Sequence, residues 1–182
     1  MSSLEEHLEA EACPHLAVFL RSPDELPGVL ASFYALGVRR GGWLAHRALP
    51  GDGDRERALL TEAGLDVAAL EAEQRMVVAE MDFSHPAEGS ADPWRDRLDA
   101  ALARGLTGLW YARFPVEVAG DDHDAMLGFE REWHRMSRDR PVVTICPFIV
   151  PDGRSATALA GQVSEMHTAV LVPENGGYDV IG

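Results

Sequence analysis

The sequence predicts a three-layer α/β domain, a mainly parallel sheet with helices on both faces, and three observations carry that prediction. Short continuous apolar runs, such as HLAVFL at His15–Leu20 and PVVTICPFIV at Pro141–Val150, show no in-out alternation and read as strands buried on both faces. Between them lie stretches whose apolar residues recur at helical spacing, so strand and helix alternate along the chain. A length of 182 residues with 46% apolar and 25% charged side chains suits one soluble domain. It is expected over residues 13–182, behind a short acidic helix or tail at 1–12.

The elements follow in order. Ser2 and Ser3 stand three residues before Glu5 and Glu6, two possible capping boxes for a loosely held first helix. His15–Leu20, between Pro14 and Arg21-Ser22-Pro23-Asp24, is the first strand. With Asp24 as N-cap, Leu26, Leu30, Phe33 and Gly37 trace a helix that ends at Arg39-Arg40-Gly41-Gly42. Trp43–Leu49 is the next strand. After the turn Pro50–Asp54, a helical stretch from Arg55 pauses at Gly64-Leu65-Asp66 and continues to Glu73.

Arg75–Met81 is the third strand and Ser84–Pro93 the longest loop. Trp94, Leu98, Ala101 and Leu102 mark a helix ending at Gly105, and Leu106–Phe114 is an aromatic-rich strand stopped by Pro115. Met126, Phe129, Trp133 and Met136 form one helix face, halted by Pro141. Pro147 inside Pro141–Val150 predicts an edge, or a strand lining an opening. Ala156, Leu159, Val163 and Met166 give a last helical face, Thr168–Val172 a last strand, and a polar Gly-rich tail follows.

Charge and composition exclude whole classes of function. The net charge of −14 repels phosphate backbones and anionic lipid, so neither nucleic acid nor membrane is an expected partner. All 16 basic residues are arginine, which removes Schiff-base chemistry, pyridoxal phosphate anchoring and the P-loop lysine together. The two cysteines are too few for a disulfide scaffold or a four-cysteine zinc site, and a reducing cytoplasm is expected. The acidic start has no apolar run, so neither a signal peptide nor a membrane span is expected.

Several constellations weigh a chemical role against a structural one. The turn Arg21–Glu25 holds no glycine and two acidic residues where a phosphate would sit, so nucleotide binding is not expected. Asp121-Asp122-His123-Asp124 reads as a helix cap rather than a metal cluster. Cys13-Pro14 and Cys146-Pro147 have the form of thiolate-haem dipeptides, yet an inert buried Cys146 is the ordinary outcome. No metal site is expected, and His15 and His167, both placed at the amino edge of the sheet, read as structural.

Ligands of parallel sheets sit at the carboxyl ends of the strands. Here those ends supply Phe19, Arg21, Arg47, Asp82, Arg113, Phe114 and Phe148, an aromatic and basic mouth in an acidic protein. Cys146 lies on the strand that ends at Phe148. Glu130, flanking the apolar face of its helix, needs a cationic partner. Arg113 is the best candidate, because the helix carrying Glu130 follows its strand directly. The pair would fix a polar handle on an otherwise apolar ligand.

These residues resemble a family. His15-Leu16-Ala17-Val18-Phe19-Leu20 followed by Arg21-Ser22 is similar to the His-x-x-x-Phe-Tyr opening of the MEDS domain, the sensory domain of methanogens, methylotrophs and a dichloromethane-responsive repressor. Arg40-Gly41 before the second strand, Phe129-Glu130 in place of Tyr-Glu, Cys146 in a Cys-x-Tyr-Asp-like strand and His167 before a final apolar strand extend the likeness over residues 13–172. Leu20, Ile149 and Arg113-Phe114-Pro115 depart from it. The resemblance implies a RecA- or KaiC-like fold without a P-loop and a sensor of small hydrocarbon derivatives that signals through regulatory modules.

The resulting expectation is a non-catalytic sensor of a small apolar or weakly anionic molecule, needing no cofactor and reporting to a separate regulatory protein. Two alternatives remain open at this stage: a small enzyme using Glu130, Asp82 or Cys146, and a ligand-free interaction module, for instance in anti-sigma regulation. The sequence is silent on oligomeric state.

Overall fold

In a computed structural model of the protein, which describes residues 3–10, 14–80, 92–117, 124–150, 159–174 and 177–181, one eight-stranded sheet organises the chain. Its strands are β1 (His15–Leu20), β2 (Trp43–Ala48), β3 (Met76–Glu80), β4 (Leu109–Arg113), β5 (Val116–Glu117), β6 (Val142–Ile149), β7 (Ala169–Glu174) and β8 (Gly177–Ile181). The order is β3-β2-β4-β6-β1-β7-β8, with β5 added alongside β6, and every pairing is parallel except β7 with β8. The three-layer, mainly parallel α/β fold is therefore the observed one.

One face is covered by α1 (Leu4–Ala10), α2 (Leu26–Arg39), α3 (Gly53–Glu62) and α4 (Val67–Ala72), which bury Leu16, Val18, Leu44, Trp110 and Ile145. The other is covered by α5 (Asp92–Ala103), α6 (Asp124–Ser137) and a helical segment at 159–163. β1, β2 and β4 are buried at every residue, as central strands covered by helices on both faces must be. Helix α2 ends in a Schellman motif: Gly41, at φ 71°, donates to Val38, and Gly42 donates to Gly37.

Several expectations are corrected. Asp24 does not cap α2. Pro23–Glu25 form a single 3₁₀ turn first, and the Glu25 carboxylate folds back to accept the Arg21 backbone N–H at 2.8 Å. The helix expected from Arg55 begins at Gly53. The first helix is docked rather than loose: Leu4 and Leu8 are buried, Arg39 and Arg40 pair with Glu5 and Glu9, and Ser3 with Glu6 closes the capping box.

Pro147 does not mark an edge, because β6 lies between β4 and β1. Thr144 donates to Pro14 and Val150 to Leu20, so even-numbered residues serve β1 and Pro147 faces the other side. There its missing N–H falls in the seam between the end of β4 at Arg113 and the start of β5 at Val116. The polar tail is strand β8, paired antiparallel with β7. Ser2, Cys13, Met81, Asp82, the Ser84–Ala91 part of the expected loop, the acidic run 121–123 and Ala156 lie outside the described residues.

Candidate functional site

Along β4 the side chains alternate, so Tyr111 and Arg113 face α6 while Trp110 and Ala112 face α2. Register places Arg47 beside Arg113, Tyr111 beside Thr144 and Thr144 beside His15, and Phe19 pairs with Phe148. A row of polar groups thus crosses four central strands on one face. Above it, α6 lays down Phe129, Glu130 and Trp133.

Glu130 is completely buried, and its Oε1 lies 2.7 Å from Nη2 of the equally buried Arg113. The ion pair expected from sequence is present. Its other oxygen, Oε2, accepts the Cys146 thiol at 3.3 Å and lies 3.4 Å from His15 Nε2 and 3.6 Å from His167 Nε2. His15 Nε2 also lies 3.4 Å from Cys146 Sγ. The two histidines therefore belong to the same cluster as Arg113, Glu130 and Cys146, not to a separate structural edge. Their donor atoms, with those of Glu130 and Cys146, all fall within 4.8 Å of one another, a set of ligand types able to hold a metal ion.

Aromatic rings enclose the cluster. The Arg113 guanidinium lies 4.8 Å from the Phe148 ring centre and that of Arg47 lies 4.5 Å from Phe129. Tyr111 stacks on Trp133 at 3.9 Å, and the Trp133 indole donates to Thr144 at 3.0 Å.

Electrostatics fixes the charge states. Burial would raise the Glu130 carboxyl, but the Arg113 guanidinium and the His15 hydrogen bond outweigh it and hold the group well below the usual carboxylate range. Burial pushes the Cys146 thiol up, and the Glu130 charge pushes it the same way. Burial, with His15 beside it, brings the His167 imidazole down to about 3. The resting cluster is thus an ionised Glu130–Arg113 pair with a neutral thiol and a neutral His167.

The other expected site residues are dispersed. Phe19 is buried against Phe148, their ring centres 5.7 Å apart. Arg21 is exposed at its turn. Phe114 does not join the cluster: it lines a cleft of about 490 Å³ on the opposite side of the sheet, with Pro23, Leu26, Asp52 and Glu56. Sequence reading missed a second polar group beside that cleft, where His46 bridges Tyr34 at 3.1 Å and Glu56 at 3.0 Å.

Fold and site together define a three-layer, mainly parallel α/β domain whose β1–α2 turn is closed by its own carboxylate and whose polar groups are gathered under α6. The chain belongs to the MEDS family, described as MEthanogen/methylotroph, DcmR Sensory domain, whose model matches residues 14–167. Among solved structures it is similar to the uncharacterized protein PH0321 from Pyrococcus horikoshii, solved in complex with an unknown peptide. The TM-score is 0.61 at 14% identity, over 97% of this chain and 88% of that one. No curated protein matches the sequence. Among the described residues no helix is long and apolar enough to cross a membrane.

Proposed function

We propose that this member of a sensory-domain family is a non-catalytic receptor for a small apolar or weakly anionic molecule, which it receives at the carboxyl side of β2, β4 and β6 and reports to a regulatory protein partner. The carrying observation is the pair of buried guanidiniums, Arg47 and Arg113, side by side in register and each lying on an aromatic ring. Such a surface attracts an electronegative or anionic handle while its rings accept the apolar remainder. The charge states favour binding over catalysis: a thiol held protonated is a poor nucleophile, and a carboxylate locked in an ion pair is a poor proton shuttle near neutral pH.

The test is a thermal-shift and calorimetric screen of short alcohols, halogenated methanes and short-chain carboxylates against the wild-type chain, Arg47→Met and Arg113→Met. A midpoint shift in the wild type that both variants lose supports the reading. Binding that both variants retain, or a wild type indifferent to every compound, overturns it.

A further inference from the structure

From the geometry of the Glu130 cluster we infer that His15, Glu130, Cys146 and His167 form a metal site of the tetrahedral Cys-His₂-carboxylate kind, for a divalent ion of zinc type. The inference does not rest on the sensory reading. Its first support is spacing. The two nitrogen contacts to Glu130 Oε2, 3.4 Å from His15 and 3.6 Å from His167, are long for charge-assisted hydrogen bonds to a carboxylate, which close to roughly 2.7–2.9 Å, while the sulfur contacts of Cys146, 3.3 Å to Oε2 and 3.4 Å to His15 Nε2, are of ordinary length for a thiol. Bonds of about 2.0 Å to nitrogen and oxygen and about 2.3 Å to sulfur, arranged tetrahedrally, put the donors roughly 3.3–3.6 Å apart. Four of the six edges fall in that range and all six lie within 4.8 Å, so an ion entering the cluster has only to draw the donors together.

Protonation geometry supplies the second support. The Val163 carbonyl can only accept, so the 2.8 Å contact makes His167 Nδ1 the donor. In the neutral ring Nε2 then carries a lone pair, and that lone pair faces the Glu130 carboxylate. Two acceptors meet, and Nε2 has no hydrogen-bond partner among the described residues although the His167 side chain is fully buried. A cation between them resolves the clash. This is also how metal-bound imidazoles are held, the far N–H fixed by a backbone carbonyl.

Third, part of an outer shell is in place. Arg113 engages Glu130 at Oε1, orienting the carboxylate, while Oε2 lies toward the other three donors. On binding, the Cys146 thiol gives up its proton to solvent and the thiolate becomes the fourth ligand.

Cobalt(II) is the probe, added to chelator-treated full-length protein. One equivalent should bind, with a thiolate-to-cobalt charge-transfer band and the intense visible bands of a tetrahedral ion, and zinc should displace it. Cys146→Ser should abolish the charge-transfer band, Cys13→Ser should keep it, and His167→Gln should weaken binding at least ~10-fold. Because a variant in this layer can fail to fold, X-ray absorption of the cobalt-loaded wild type is the second measurement, expected to show one sulfur and three nitrogen or oxygen neighbours. A wild type that binds no cobalt, binds it without sulfur, or binds it unchanged in folded Cys146→Ser or His167→Gln overturns the site.

Discussion

Replacing Glu130 by Met strands the Arg113 guanidinium in a layer where Tyr111, Phe148 and Trp133 exclude water. The two charges meet at 2.7 Å with 1% and 0% of their side chains exposed. At an effective dielectric of ~20, charge centres ~4 Å apart attract by about 4 kcal/mol, and an uncompensated buried charge costs about 3–5 kcal/mol. Glu130→Met should fall in that range. Arg113→Met should cost somewhat less, near 3 kcal/mol, because the stranded carboxylate keeps Cys146 and His15 as neighbours. The double variant exchanges the pair for two thioethers of similar volume and should return to within about 1 kcal/mol of the wild type. Urea unfolding of the metal-free protein at neutral pH, followed by circular dichroism and tryptophan fluorescence, measures all four corners of the cycle. Single variants costing under about 1 kcal/mol, or a double variant as unstable as the sum of the singles, would refute the reasoning.

Gly37→Ala should destabilise by about 1–3 kcal/mol, because the added methyl meets Leu44 at 2.7 Å and the Trp110 ring at 2.8 Å, whereas Gly28→Ala, with nothing within 4 Å, should be neutral or stabilising in the same melts. Leu8→Ala should loosen α1 by about 2 kcal/mol, while Glu9→Ala, which removes only an exposed ion pair, should change the melting point little. Backbone N–H groups of Gly51 and Gly53 hold the Glu80 carboxyl below its ordinary 4.5, so the unfolded chain takes up that proton first on acidification. Its stabilisation is therefore present above that value and lost as pH falls through the lower folded value, and Glu80→Gln should flatten the acid limb of melting point against pH; parallel limbs would contradict it.

The strand and helix alternation was legible because central parallel strands are buried on both faces and so read as largely apolar runs, and β1, β2 and β4 are buried at every residue. What local pattern does not carry is strand order. That β6 lies between β4 and β1 is a matter of crossovers, and only this order brings His15, at the first strand's start, to Cys146 and Glu130. Glu130 and Arg113 were readable as a pair because α6 follows β4 closely in the chain. His167 was not, since 37 positions separate it from Glu130 and no spacing motif links them. Strand β8 has a local sequence signal of its own: Asn175-Gly176 is a favoured hairpin dipeptide, and the residues on either side of it pair as β7 and β8.

Stability does not explain why this layer is polar. Well-packed apolar residues in place of a buried ion pair are often as stable or more so, and the flanking positions of the same strands, Ala45, Leu109, Val142 and Ala17, are already apolar. The polar residues are confined to one patch, where a single carboxylate on α6 touches β4 through Arg113, β6 through Cys146, β1 through His15 and the segment before β7 through His167. Any event that alters the charge or position of Glu130, whether a molecule engaging Arg113 from one side or a cation drawing on Oε2 from the other, must shift α6 against four elements at once. Displacement of one helix over a rigid sheet is the kind of change that a partner protein can read. If the double variant of Arg113 and Glu130 is as stable as the wild type yet unresponsive to ligand, the pair exists for that displacement.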